Sequence, residues 1–192
     1  MQVNVRIKGT KPLIVHDNSR LANPLDEITK AIKVLTSKTP KTEADLLEIS
    51  RLEWVGSLYY NKELGPIMPM RCLKAMTRSA AKKQKLGKII QESVFVVEDV
   101  PILYDGPRDI TEMWKCGNFT LTVPCKVNNS LVMRTRPIFN EWNIEFVIEF
   151  EETQINPEVL KNTLTTAGLR TALCDWRPEY GRFVVETFEL MT

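Results

Sequence analysis

Between Arg71 and Lys88 stand seven Lys or Arg residues and no Asp or Glu. At the helical period, Arg71, Lys74, Arg78, Lys82 and Lys85 share one narrow stripe. Leu73, Met76 and Ala80 fall opposite, and Thr77 sits at the edge of that apolar face. Like charges one turn apart repel by about 0.2–0.5 kcal/mol per pair, so the row is locally costly. A polyanion laid along it offsets that cost, and so do carboxylates supplied from elsewhere in the fold. No acid interrupts the row, which weights the reading towards a polyanion.

Cations and aromatics gather in two further places. Lys126, Arg134 and Arg136 decorate a pair of alternating runs over 119–136. Trp176, Arg177, Tyr180 and Arg182 stand close together, and an indole beside a guanidinium suits unstacked bases at about 1–3 kcal/mol per stacked base. Plainer readings stand beside these. Trp176 and Tyr180 serve equally well as lids on a core. Arg177 has Asp175 and Glu179 as local partners, and Arg134 and Arg136 alternate as on a solvated strand face.

His16 is the only histidine, so a two-histidine mechanism within one chain is excluded. It stays a candidate general base, against the plainer reading of a loop histidine with no second catalytic partner near it. Asp17-Asn18-Ser19 reads as ordinary loop chemistry. Cys72, Cys116, Cys125 and Cys174 form no CxxC pair, so free thiols are expected and a zinc site is not. No P-loop, no GxGxxG and no recognisable pair of metal carboxylates occurs. The reading therefore expects no metal and no cofactor.

The elements that must position these residues are legible in outline. Val3, Val5 and Ile7 alternate with Asn4, Arg6 and Lys8, a half-buried strand. Asn23-Pro24 reads as cap and first residue of a helix through Leu35. Thr42 and Asp45 form a capping-box pattern for a second helix reaching about Tyr59, and together these helices read as a helical insertion over 22–60. Gly65 to Pro69 is extended, and the basic helix follows until Gly87 ends it. Val94 to Val97 is a strand, and Val100 to Tyr104 another extended piece. The runs over 119–127 and 131–135 join at Asn128-Asn129 as a hairpin, with Pro137 ending its second strand. Trp142 to Phe150 alternates apolar residues with Glu145 and Glu149. Asn156-Pro157 starts a helix that Gly168 closes, and Arg182 to Phe188 is the last strand. This order asks for an α+β fold, an antiparallel sheet with helices packed on one face.

Net charge is only +2 over 192 residues, so an anion-binding surface must come from uneven distribution. The distribution is uneven: from Glu141 to Glu158 there are six Glu and no Lys or Arg, and the basic helix and this run are expected to face different ways. No segment reads as a signal peptide or a membrane span, which points to the cytoplasm.

Three patterns in order carry a resemblance: the first strand with Thr10-Lys11-Pro12-Leu13-Ile14; Pro66-Ile67-Met68-Pro69 running into Met70-Arg71-Cys72-Leu73-Lys74; and Gly168-Leu169 leading to Asp175-Trp176-Arg177-Pro178-Glu179-Tyr180-Gly181-Arg182-Phe183. Together they resemble the RAMP superfamily, whose ferredoxin-like, RRM-like fold supplies guide-RNA backbone subunits of CRISPR effector complexes. Small bacteriophage proteins with the same Asp-Trp-Arg-Pro and Gly-Arg-Phe elements are similar too. Met70-Arg71-Cys72 departs from the small residues usual at that helix start, and Ala172, Cys174 and Phe183 stand where glycines are expected. The resemblance implies one RAMP-like domain over 1–192, with 119–136 as a thumb-like hairpin. It implies a non-catalytic protein that binds single-stranded nucleic acid, DNA before RNA, and multimerises along it as a homo-oligomer or filament in a bacterial host cell. The residues implied to bind are Arg71, Lys74, Arg78, Lys82, Lys85, Lys126, Arg134, Arg136, Trp176, Arg177 and Arg182. Two alternatives stay open: a metal-independent endoribonuclease of the RAMP class using His16, and a protein-interaction module that mimics a backbone subunit and spoils effector assembly.

Overall fold

The computed structural model describes residues 1–191, apart from the side chain of Val127. Strands β1 (Gln2–Gly9) and β2 (Leu13–Ile14) precede helices α1 (Asn18–Ala22), α2 (Glu27–Thr36) and α3 (Glu43–Ser57). Strands β3 (Tyr60–Asn61) and β4 (Gly65–Met68) lead into α4 (Met70–Lys82) and α5 (Gly87–Ser93). Then come β5 (Val94–Val96), β6 (Val100–Pro101), α6 (Ile110–Cys116), β7 (Thr120–Val127), β8 (Ser130–Phe139) and β9 (Asn143–Phe150). Helix α7 (Pro157–Thr166) passes into a π-turn (Ala167–Thr171) before β10 (Phe183–Met191). The chain forms two compact units. The first holds Met1–Ile14, Asn61–Asp105 and the residues from Phe139 on; the second holds Val15–Tyr60 and Gly106–Ile138.

In the first unit four strands form an antiparallel sheet in the order β10-β1-β9-β5. Counting only these strands along the chain, the order is 4-1-3-2, the ferredoxin-like arrangement. Alternation sets the two faces. Val3, Val5, Ile7, Val94, Val96, Ile144, Phe146, Ile148 and Phe150 are buried on one side, where α4 and α7 pack. Asn4, Arg6, Lys8, Glu145 and Glu149 take the other side, so the fold class is as the sequence implies. Asn156 caps α7, its side chain accepting from the Glu158 N–H, with Pro157 in the first turn as expected.

Two glycines expected to stop helices do something else. Helix α4 ends at Lys82, not at Gly87. Lys85 takes a left-handed φ of 62°, and the Leu86 N–H reaches back to the Ala81 carbonyl while the Lys85 N–H reaches Lys82. That is a Schellman closure with lysine where glycine is usual. Gly87 instead opens α5, and a Cβ there would lie 2.7 Å from the Lys82 Cγ. Likewise Gly168 does not close the helix begun at Asn156. It lies inside the π-turn, where a Cβ would meet the Phe183 carbonyl oxygen at 2.2 Å, and Ala172 ends the turn at φ 61°.

In the second unit Trp54 is fully buried and donates from Nε1 to the Phe119 carbonyl at 2.7 Å, with Trp114 tilted against it at 5.6 Å. Leu52, Leu58, Met113 and Phe119 complete this core. Helix α2 starts at Glu27 on an Asp26 cap, not at Pro24, because Asn23 spends its side chain on the Leu25 N–H in a preceding turn. The short α1 and α6 escape sequence reading, as one- and two-turn helices carry too little periodicity. Strands β7 and β8 form the expected hairpin, with Asn128 left-handed at the turn. Pro137 does not end β8: it pairs with Thr120 at the ladder's end, and its carbonyl accepts from the Val15 N–H.

The Thr42–Asp45 capping box of α3 is fully formed. Lys38, first, and then the Thr42 backbone and hydroxyl hold the Asp45 carboxyl down at about 2. A carboxyl lowered from 3.8 stabilises the fold above its unfolded pKa, and that contribution disappears as pH falls through about 2. Thermal midpoints measured from about pH 5 to pH 2 should therefore fall more steeply for the parent protein than for Asp45→Asn, which lacks this titration.

Candidate nucleic-acid interface

Helix α4 buries Leu73, Met76, Thr77, Ala80 and Ala81, the face that its spacing assigns to the core. Thr77 satisfies its hydroxyl by donating to the Leu73 carbonyl at 2.8 Å. Arg71, Arg78 and Lys82 are exposed and Lys74 half-buried, so four cations run along the outer face. Lys85 leaves the row because the chain turns before it. Lys74, Arg78 and Lys82 make no ion pair among the described residues. Burial and then the charge of Arg78 push the Lys74 ammonium down from its ordinary value. The i,i+4 repulsion inferred from spacing is thus present in the fold.

Beside this row lies Phe95, on edge strand β5 between the buried Val94 and Val96, and 48% exposed. The Lys74 Nζ sits 4.0 Å from its ring centroid. Met70, Arg71, Lys74 and Phe95 line one shallow pocket of about 280 Å³. An exposed aromatic ring next to a basic track is a platform for a base beside a path for its phosphates. Val94, Phe95, Val96 and Val97 are all apolar, so the sequence reads as a strand without marking Phe95 as the outward residue. The N-terminus of α4, by contrast, is already occupied: Asp99 Oδ1 accepts the Met70 N–H at 2.8 Å, so a carboxylate stands where a helix N-terminus would otherwise attract a phosphate.

The open face of the sheet excludes a polyanion. It presents Glu145, Glu149, Glu186 and Glu189, while Arg6 and Lys8 both pair with Glu186. Glu145 and Glu149 of the acidic run thus lie on the sheet face opposite α4, as expected, whereas Glu158 lies in the first turn of α7, on the side of the sheet that α4 shares.

The third motif forms a tight loop in which Ala172, Cys174 and Trp176 have φ of 61°, 63° and 51°. Ala172 and Cys174, two of the residues standing where glycines are expected, hold conformations that favour glycine. Trp176 packs edge-on against Tyr180 at 5.9 Å and Arg182 Nε donates to the Pro178 carbonyl, so both are partly spent on the loop itself. Arg177 is exposed and makes no ion pair with Asp175 or Glu179. The Cys174 thiol bonds to Met68 Sδ at 3.5 Å, and its hydrogen bond with Cys72 and burial push it up, away from nucleophilic chemistry.

Lys126, Arg134 and Arg136 belong to the second unit. Lys126 is exposed on β7. Arg134 donates from Nη1 to the buried Glu53, whose other oxygen accepts the Thr135 N–H at 3.1 Å. Glu53 was not singled out in the sequence, because nothing local ties α3 to β8. Arg134→Ala leaves that carboxylate buried without its cation and should cost about 3 kcal/mol in a denaturant melt. A residue serving nucleic acid alone would change affinity and leave the melt in place.

His16 lines a cavity of about 280 Å³ with Leu21, Thr29, Ile32, Glu53, Arg134 and Arg136. Its Nδ1 lies 3.1 Å from the buried Ser57 Oγ, and Tyr59 donates to its carbonyl. The acid in this cavity, Glu53, is committed to Arg134 and Thr135. Among the described residues no group of three or more His, Cys, Asp or Glu side chains is placed to hold a metal ion. No helix among them is long and apolar enough to cross a membrane.

No protein-family model matches the chain, and no curated protein matches it. Among solved structures it is similar to a chain in the cryo-EM structure of the type III-B Cmr-beta bound to cognate target RNA, with 13% identity and a TM-score of 0.56. The match covers 100% of this chain and 60% of that one, so the chain spans about three fifths of its structural neighbour. At that identity the likeness speaks for architecture: the chain shares its fold with a chain of the type III-B Cmr-beta structure.

Proposed function

We propose that this chain is a non-catalytic, single-stranded nucleic-acid-binding protein of the RAMP-like kind that multimerises along its ligand. The observation that carries the reading is the row of Arg71, Lys74, Arg78 and Lys82, with the exposed Phe95 ring beside it. The acidic open face of the sheet supports it by leaving α4 as the basic side of that unit. The shared fold supports it as well, since the neighbouring structure is that of a complex bound to RNA. In this reading residues 1–192 act together, and the hairpin over 119–136 offers Lys126 as a further contact from its own unit. The polymer is single-stranded DNA if the chain is a stand-alone bacteriophage protein, as the Asp-Trp-Arg-Pro resemblance implies, and RNA if it works as its structural neighbour does.

The test is fluorescence anisotropy with labelled single-stranded DNA, single-stranded RNA and duplex across a range of salt. Four phosphate contacts on a single strand predict that log affinity falls with log salt at a slope of about −3. Both single strands should bind more tightly than duplex, and mass measurements on strands of increasing length should show added copies in steps. No binding at low salt overturns the proposal.

A further inference from the structure

The sequence reading names Arg177 among the implied nucleic-acid contacts, beside Trp176. In the fold its surroundings are distinctive. Ser79 and Lys83 from the end of α4, Arg170 and Thr171 from the π-turn, and Arg177 and Pro178 from the following loop line one open concavity of about 360 Å³. Lys83, Arg170 and Arg177 bring three positive charges to it, and no carboxylate lines it. None of the three makes an ion pair among the described residues. Among the described residues the Thr171 hydroxyl is buried without a hydrogen-bond partner. Clustered cations repel one another, and an oxyanion seated among them relieves that repulsion.

We propose that this concavity is a phosphoryl subsite, and, resting on the nucleic-acid reading above, that it seats one phosphate of the bound strand. The donor set selects the group. Three cationic heads and the Ser79 hydroxyl offer more donors than the two oxygens of a carboxylate can accept, whereas a phosphoryl group presents three or four oxygens in a tetrahedron. The position selects the strand. Ser79 and Lys83 stand about 100° round the helix from Arg78 and Lys82, so the concavity flanks the C-terminal end of the row, where a backbone leaving the row sideways reaches it. The π-turn has a structural reason here. With Gly168 against the Phe183 carbonyl and Ala172 left-handed, the turn is pinned, and this places Arg170 and Thr171 together at the rim.

Two measurements on the full chain test this. In the first, inorganic phosphate is titrated at constant ionic strength while the Arg Nε–H signals are followed by NMR. The signals of Arg170 and Arg177 should shift and saturate, and Lys83→Gln should weaken that binding several-fold with the fold intact. A linear drift shared by all arginines overturns the subsite. In the second, Arg170→Gln/Arg177→Gln is compared with the parent on single strands carrying or lacking a terminal phosphate. A loss of about tenfold on both strands assigns the seat to an internucleotide phosphate, and a loss confined to the phosphorylated strand assigns it to a terminal one. Equal affinities of parent and variant on both strands overturn the seat. Saturable phosphate binding by a parent that binds no strand would keep the phosphoryl subsite and sink the nucleic-acid reading, so the two fail separately.

Discussion

Replacing Lys74, Arg78 and Lys82 by glutamate should lower affinity for single-stranded nucleic acid by at least about 100-fold and flatten the salt dependence by about 2 log units per log unit. The expectation rests on where these residues lie. Arg78 and Lys82 are exposed, and α4 is held by Leu73, Met76, Thr77, Ala80 and Ala81, none of which changes. Lys74→Glu also gives up the contact with Phe95, worth about 0.5–1 kcal/mol at an exposed site. Repulsion among three glutamates replaces repulsion among three cations, so net helix stability moves little. Circular dichroism melts should therefore stay close to the parent while anisotropy loses its signal. Retained affinity would mean that the row is a solvated face and that binding, if seen, belongs to another surface.

The second large effect concerns shape. Gly181→Ala should destabilise the first unit by about 4 kcal/mol, read as a shift of the denaturation midpoint. Two costs add. Gly181 has a φ of 72°, where a Cβ is strained, and that Cβ would lie 2.0 Å from the Leu173 carbonyl oxygen. Neither side relaxes easily, because Leu173 accepts no slack: its N–H bonds to the Gly181 carbonyl and Gly181 in turn donates to Pro12. The reverse experiment has the opposite sign. Ala172→Gly, at φ 61°, removes a left-handed alanine and should stabilise by about 1 kcal/mol. A neutral Gly181→Ala would show that the loop over 172–182 is not packed as described.

What was legible before the fold was known, and what was not, divides by range. The α4 faces, the capping box at Thr42 and Asp45, the hairpin turn at Asn128-Asn129 and the alternation of β1 and β9 are all set by residues within a few positions of one another, and all appear where expected. Helix ends were less legible. Gly87 and Gly168 look like stop signals, yet each is small because another part of the chain crowds it, Lys82 in one case and the Phe183 backbone in the other. Spacing has no access to such crowding. The basic row was legible as a row but not in length, because its fifth member depended on a Schellman turn made by a lysine.

The sequence by itself determined the chemistry available to this protein: an uninterrupted basic helix face, a segregated acidic run, one histidine and no metal-ligand spacing. These follow from composition and local period, and no packing could change them. Tertiary structure alone decided which charges remain free to act. It spent Arg134 on the buried Glu53, closed the α4 N-terminus with Asp99, set Phe95 under Lys74, and gathered Lys83, Arg170 and Arg177 around one open concavity. Each of these pairings joins residues from different elements. Whether a cation is free is a property of the partner that reaches it, and that partner is chosen by the crossing of strands and helices far apart in the chain.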